Sequence, residues 1–299
     1  MQMMSTELRR RPYQQFLGIV LCGMLVLLTS ACGSLVPAET TAEDAPVITH
    51  KRQVQLYLPE ASGTLVFSGA GVTIDASNVV EGYIMIKSDP SEQLLKLRIS
   101  CGEEVYGYSL PDDGNYVTYP CQLGSGLYLV RILEQVADQM YAQRFAAELE
   151  IEIKNPMGPY LYPSQYVYYD ASSEAVKESN KLTESTDDDE VIIQELYRFV
   201  AQNTTYDHEK AASVETGYLP IPDETLQSGR GICFDYSALL AVMLRAQGIP
   251  TRLVIGVVMP EKVTHAWNQV YINGGWVWMD ATFDDETRVQ TNYFQERVY

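Results

Sequence analysis

Histidine is scarce in this chain: 299 residues contain three, His50, His208 and His265, widely separated. Cysteine is sparse as well, with five residues and no Cys-x-x-Cys pair. No metal motif is therefore legible, and no glycine-rich loop placed to cradle phosphate precedes a helix. No metal or cofactor is expected. Basic residues are in deficit, 21 Lys and Arg against 39 Asp and Glu, for a net charge of −18. A chain so acidic is repelled by nucleic acid and by anionic lipid, which excludes nucleic-acid binding. Long apolar runs are missing too. The longest, about residues 16–28, falls short of the ~20 residues a membrane helix needs.

That run has a different reading. Arg9, Arg10 and Arg11 precede it, and Thr29-Ser30-Ala31-Cys32-Gly33 follow it. A basic start, a short apolar stretch and small residues before a cleavage point describe an export signal. Small residues directly before a cysteine resemble the lipobox of bacterial lipoproteins, with Cys32 as the lipidated residue. The departure is that Thr29 stands where Leu is usual, with Leu28 one place further back. A plain secretory signal or an uncleaved anchor is the competing reading. Cleavage removes 1–31, three Arg and one Glu with it, and takes the net charge from −18 to −20. The expected location is the extracytoplasmic face of a cell membrane, held by the lipid.

Residues 32–49 are small, polar and acidic and read as a flexible tether. From 50 to 155 the pattern has period two: Val54, Leu56 and Leu58; Leu95, Leu97, Ile99 and Cys101; Ala147, Leu149, Ile151 and Ile153. Turn signals separate the runs, which suggests a β-sandwich-like domain. Its tyrosines (Tyr106, Tyr108, Tyr116, Tyr119, Tyr128) fit a carbohydrate- or peptide-binding surface, but strand propensity explains them better. Cys101 and Cys121 both end strand-like runs and are candidates for a disulfide in an exported chain; the pattern leaves that pairing open. It would leave Cys233 as the odd thiol.

A Pro- and Tyr-rich crossing opens the second domain, 156–299. The acidic run Asp187 to Glu190 lacks the alternating spacing of a calcium loop. Carboxylates in a first helical turn oppose the positive helix end, and Ile192, Leu196, Phe199 and Val200 supply the apolar stripe behind them.

Residues 229–283 carry the chemistry. From Cys233 an almost wholly apolar helix runs to Leu244, stopped by Gly248 and Pro250. Cys233 in its first turn meets the positive end of the helix, which favours the thiolate. Segments 265–272 and 275–283 flank Asn273-Gly274, a pair that favours a two-residue type I′ turn. With Ile272 facing Gly275, Asp280 falls opposite Trp267, diagonal to His265 and on the same face. The imidazole and the carboxylate can then meet, giving a nucleophile, a base and a group that orients the base. The Cys233 N–H is one oxyanion donor; Gln227 and Tyr206 are candidates for the second. Trp267 and Trp278 read as pocket wall. A lone Cys on an apolar helix is usually a buried small hydrophobe; the combination carries the inference, while His50 and His208 have no such company.

Here the chain resembles the transglutaminase-like superfamily, papain-like thiol enzymes, on four blocks. These are Gly-Ile-Cys-Phe-Asp-Tyr-Ser at 231–237, Gly-Ile-Pro-Thr-Arg at 248–252, His-Ala-Trp-Asn-Gln-Val at 265–270 and Trp-Val-Trp-Met-Asp-Ala-Thr at 276–282. Gln269 stands where relatives often carry Glu. The resemblance implies an α+β papain-like core, N-terminal helices packed on an antiparallel sheet, with Cys233, His265 and Asp280 as triad. It implies an acyl-enzyme formed on an amide of a peptide or protein. Hydrolysis is favoured over cross-linking, although the triad alone does not choose. The alternative is a non-catalytic surface module retaining the fold, and a third reading gives the leading role to the sandwich.

Overall fold

The computed structural model describes residues 54–260, 262–283 and 292–299. The export signal, Cys32, the tether and His50 lie outside the described residues.

The period-two segments pair into two antiparallel sheets. One has the order β1-β2-β3-β6, from Val66–Gly69, Val72–Asp75, Tyr83–Ser88 and Val117–Pro120. The other has the order β5-β4-β7-β8, where β4 is Leu95–Cys101, β5 Glu104–Leu110, β7 Gly126–Ala137 and β8 Met140–Ile151. Ile74, Ile84 and Ile86 of the first and Leu97, Ile99, Val130 and Ile132 of the second are buried. In β4 and β5 alternate positions face outward, as a half-buried pleat requires, whereas β3 is buried at nearly every position. Tyr119 on β6 meets Tyr108 on β5 edge-on at 5.1 Å and donates its hydroxyl to Ser109 O at 2.8 Å.

The expected strand at Val54, Leu56 and Leu58 does not form. Its backbone is instead bonded by side chains: Tyr57 O accepts from Tyr169 Oη and Glu60 N–H donates to Tyr83 Oη, both at 3.1 Å. Leu58 is left exposed. Cys101 and Cys121 are free thiols, so the disulfide considered above is not formed. Cys101 ends β4, whose sheet is the other one from that of β6, after which Cys121 follows. The Cys101 sulfur lies against Gly126 on β7, and Cys121 is buried.

Two helices follow the sandwich, α1 (Glu174–Leu182) and α2 (Asp189–Asn203). Asp188 caps α2, its carboxylate accepting from the Glu190 and Val191 N–H groups, and Ile192, Leu196 and Val200 are its buried stripe. Strand β9 (Thr205–Tyr206), α3 (His208–Ser213), α4 (Pro222–Ser228) and β10 (Arg230–Gly231) lead to α5, Cys233–Ala246. Helix α5 is buried on every side from Asp235 onward, as its unbroken apolar composition requires. It ends in a Schellman motif: Gly248 at φ +71° donates to Arg245 O and Ile249 to Leu244 O.

The last sheet has the order β13-β12-β11-β14, all antiparallel, from β11 (Thr251–Val258), β12 (Val263–Ile272), β13 (Gly275–Met279) and β14 (Tyr293–Val298). Helix α5 packs on β11 and β12. Arg245, fully buried in α5, donates to Tyr162 O, Thr251 O and the Tyr299 main-chain oxygen. Burial lowers it to about 10, so it stays cationic at neutral pH and pins the crossing segment to the sheet.

Candidate active site

The Asn273-Gly274 turn decides the site. Both residues have positive φ, +52° and +80°, and Ile272 pairs with Gly275, Gln269 with Trp278 and Asn268 with Met279. That is the register expected of a type I′ turn. Strand β13 stops at Met279 rather than reaching Phe283, and Asp280 follows at its end. His265 Nε2 lies 2.7 Å from Asp280 Oδ2, with both residues buried. The carboxylate is held from two further sides and the main-chain carbonyl from a third. Tyr293 Oη donates to Oδ2 at 2.8 Å, Thr282 N–H donates to Oδ1 at 3.0 Å, and Tyr197 Oη bonds the Asp280 carbonyl at 3.0 Å.

Cys233 is the second group whose side chain interacts with the imidazole. Burial pulls the His265 pKa down; the Asp280 carboxylate and the Cys233 sulfur outweigh it and lift the value to about 9. At neutral pH the ring is an imidazolium with Asp280 and Cys233 as its partners. Cys233 is only half-buried while its partners are enclosed, so the sulfur is the member of the set that solvent reaches.

Cys233 is the first residue of α5, and the turn before it is locked by Asp235. This carboxylate, fully buried, accepts from Ile232 N–H at 2.8 Å, Lys210 Nζ at 2.7 Å and Tyr218 Oη at 2.5 Å. A Cβ on Gly231 would stand 2.6 Å from Asp235 Cβ, so only glycine lets the carboxylate fold back over the turn. The pattern Gly-x-Cys-x-Asp therefore has a mechanical reason that motif reading alone did not supply.

The other candidates divide. Tyr206 pairs with Gly231 between β9 and β10. Burial first, then the charges of Cys233 and Asp235, push its phenol up. Gln227 is exposed on α4, and no hydrogen bond joins it to Cys233 or His265. Trp267 is buried, stacked on His265 at 6.3 Å between ring centres. Trp278 meets Tyr293 edge-on at 4.9 Å, and Tyr293 in turn meets Trp267 and His265. Tyr293, Tyr197, Phe283 and Lys210 went unnoticed in the sequence. None lies within a motif, and only the return of β14 alongside β11 brings Tyr293 in. Among the described residues, no group of three or more His, Cys, Asp or Glu is arranged to hold a metal ion, and no helix is long and apolar enough to cross a membrane.

A half-buried cysteine thus starts a helix near a histidine that is bonded to a carboxylate. Residues 177–281 match the family model described as the transglutaminase-like superfamily, and this part of the chain is a transglutaminase-like domain. An uncharacterized protein of Mycobacterium leprae is 35% identical over 77 residues; the match spans 22% of this chain and 27% of that relative. Among solved structures, a cysteine protease candidate from Cytophaga hutchinsonii is similar at 15% identity and TM-score 0.41, over 73% of this chain and 83% of its own. The periplasmic domain of TgpA from Pseudomonas aeruginosa is similar at 16% identity and TM-score 0.34, over 64% and 88%. At these identities the likeness is one of fold.

Proposed function

We propose that this protein is a thiol enzyme acting on amide bonds of a peptide or protein through Cys233, His265 and Asp280. The observation that carries the reading is the His265–Asp280 contact at 2.7 Å, with Cys233 close enough to act on the same imidazole. In the proposed step the Cys233 thiolate attacks the carbonyl carbon and an S–C bond forms. The C–N bond breaks, and the imidazolium proton of His265 passes to the departing amine. Asp280 holds the ring and offsets its charge. The N–H of Cys233, at the positive helix end, faces the developing oxyanion, with Tyr206 beside it. Water attacking the acyl-enzyme completes hydrolysis and an amine completes transfer; hydrolysis is the favoured outcome. We place the enzyme on the extracytoplasmic side of a membrane, tethered through a lipid on Cys32. The division into a sandwich at 50–155 and a catalytic domain at 156–299 belongs to the same proposal.

The test is the rate of Cys233 alkylation by iodoacetamide from pH 4 to 10, compared with His265→Ala. Fast labelling well below the ordinary thiol range of about 8.5, lost in the variant, supports the ion pair. An ordinary profile unchanged by the substitution refutes it and leaves a tethered binding module.

A further inference from the structure

We propose that the cavity between the sandwich and the helical part receives an extended segment of polypeptide with bulky apolar side chains flanked by basic ones. This deepens the reading above by naming the substrate class, and rests on it only for the statement that the bound polypeptide is a substrate.

The cavity has a volume of about 560 Å³, within the ~300–1,000 Å³ of ordinary ligand sites. Tyr116 and Met85 face it from the sandwich, Tyr168 from the crossing segment, and Leu219 and Ile221 from the loop before α4. Apolar side chains stand exposed around it: Leu58 is 41%, Tyr168 58% and Ile221 47% accessible. Scattered exposed apolar residues need no explanation, but a group of them around one concavity marks a binding surface. Four of the lining residues are prolines. They offer no N–H to a partner strand, so recognition here works by burying side chains rather than by adding a strand.

Charge narrows the occupant. No lysine or arginine lines the cavity, and its one charged lining residue is Asp170. Bonds from the Ser172 hydroxyl and N–H keep that carboxyl below its ordinary range, hence anionic. Asp223 lies within electrostatic reach of Tyr168, and Asp75 of Tyr116. One cation, Lys87, stands over the ring of Tyr116 at 4.9 Å and offsets one of these three carboxylates. An apolar segment carrying Lys or Arg is attracted to this rim and an acidic one is repelled.

Position connects the cavity to the sulfur. Tyr166 and Tyr218 both contact Phe234, at 5.6 and 6.4 Å between ring centres, and Phe234 directly follows Cys233. Their chain neighbours Gln165 and Leu219 line the cavity. In the proposed mode a polypeptide lying across the sulfur, advancing roughly 3.3 Å per extended residue, places side chains a few positions from the attacked carbonyl in this cavity.

The experiment measures fluorescence anisotropy of labelled peptides with the mature chain carrying Cys233→Ala, which binds without turnover. The probes are a Leu-Tyr-Leu core flanked by lysines and the same core flanked by glutamates. The variants are Tyr168→Ala and Ile221→Ser. Both sites are exposed, and Ser suits the N-cap position Ile221 occupies; their melting temperatures verify folding. The expected result is binding of the lysine-flanked probe that weakens with salt. It should exceed binding of the glutamate-flanked probe by roughly tenfold and fall by about as much in each variant. Equal binding of both probes, no loss in the variants, or no binding at all overturns the proposal. So does an apolar dye that fills the cavity and is not displaced by the lysine-flanked probe. A chain that binds this way but fails the alkylation test retains the cavity assignment and loses the enzymatic one; the reverse result separates them the other way.

Discussion

Replacing Asp280 with Asn tests the electrostatics of the site through stability. In the native protein burial works against the charged imidazole, and Asp280 with Cys233 more than compensates, lifting His265 from 6.5 to about 9. At ~1.4 kcal/mol per pH unit this is worth at most about 3 kcal/mol of folding free energy. Because the folded value is the higher one, that contribution is complete below pH 6.5. It declines through the interval and is gone above pH 9. A carboxamide keeps the shape but not the charge, while burial still disfavours the cation. The variant's imidazole is then neutral at pH 7. At ~2–4 °C per kcal/mol for a chain of this size, calorimetry should show the variant melting roughly 6–12 °C lower at pH 6. The deficit should close towards pH 10. An imidazole in the variant that still titrates near 9 by proton NMR, or a deficit equal at pH 6 and pH 10, would refute the reasoning.

Tyr293→Phe removes one donor from the same carboxylate oxygen and should cost about 1–3 kcal/mol. In a double-mutant cycle with Asp280→Asn the two losses should be less than additive, and strict additivity would show the bond to be idle. Lys210→Met leaves the buried Asp235 with Tyr218 and Ile232 N–H alone. The lysine is about one-third exposed, so the expected loss is roughly 1–3 kcal/mol by urea unfolding, with the pH midpoint of Cys233 alkylation moving up. A variant as stable as the native chain, with an unmoved profile, would mean the pair contributes nothing.

What was legible in the sequence was whatever local geometry determines. The Asn273-Gly274 turn sets a register, and a register is a statement about which side chains share a face; that brought His265 and Asp280 together before any coordinates. The apolar run after Cys233 could only be a buried helix, and the acidic start of α2 followed from carboxylates ahead of a stripe. Local pattern misled where the partner was distant. Val54, Leu56 and Leu58 alternate like a strand, but the Tyr57 carbonyl between them accepts from Tyr169, far along the chain. Tyr106, Tyr108, Tyr119 and Tyr128 are buried, as strand residues would be, whereas Tyr116 faces the cavity. Tyr293 and Lys210 were invisible because each reaches the site from another element, and nothing in their own neighbourhood records it.

The tyrosines of the sandwich have a consequence for how such a chain can be rearranged. Tyr106 and Tyr108 pack edge-on against Tyr299 at 5.5 and 6.0 Å, and Tyr166 closes on the same ring at 4.4 Å. Residues from Ile48 to Tyr299 form one compact unit. Aromatic pairs of this geometry contribute ~0.5–1.5 kcal/mol each beyond the area they bury. A module that recombination can graft from one protein to another needs a polar seam, so that either half stays soluble when parted. Here the seam is built on aromatic rings, with bonds between Gln165 and the Ser109 backbone beside them. Exchanging the sandwich for another would strand buried rings in water, so the two halves are expected to have changed together rather than by swapping parts.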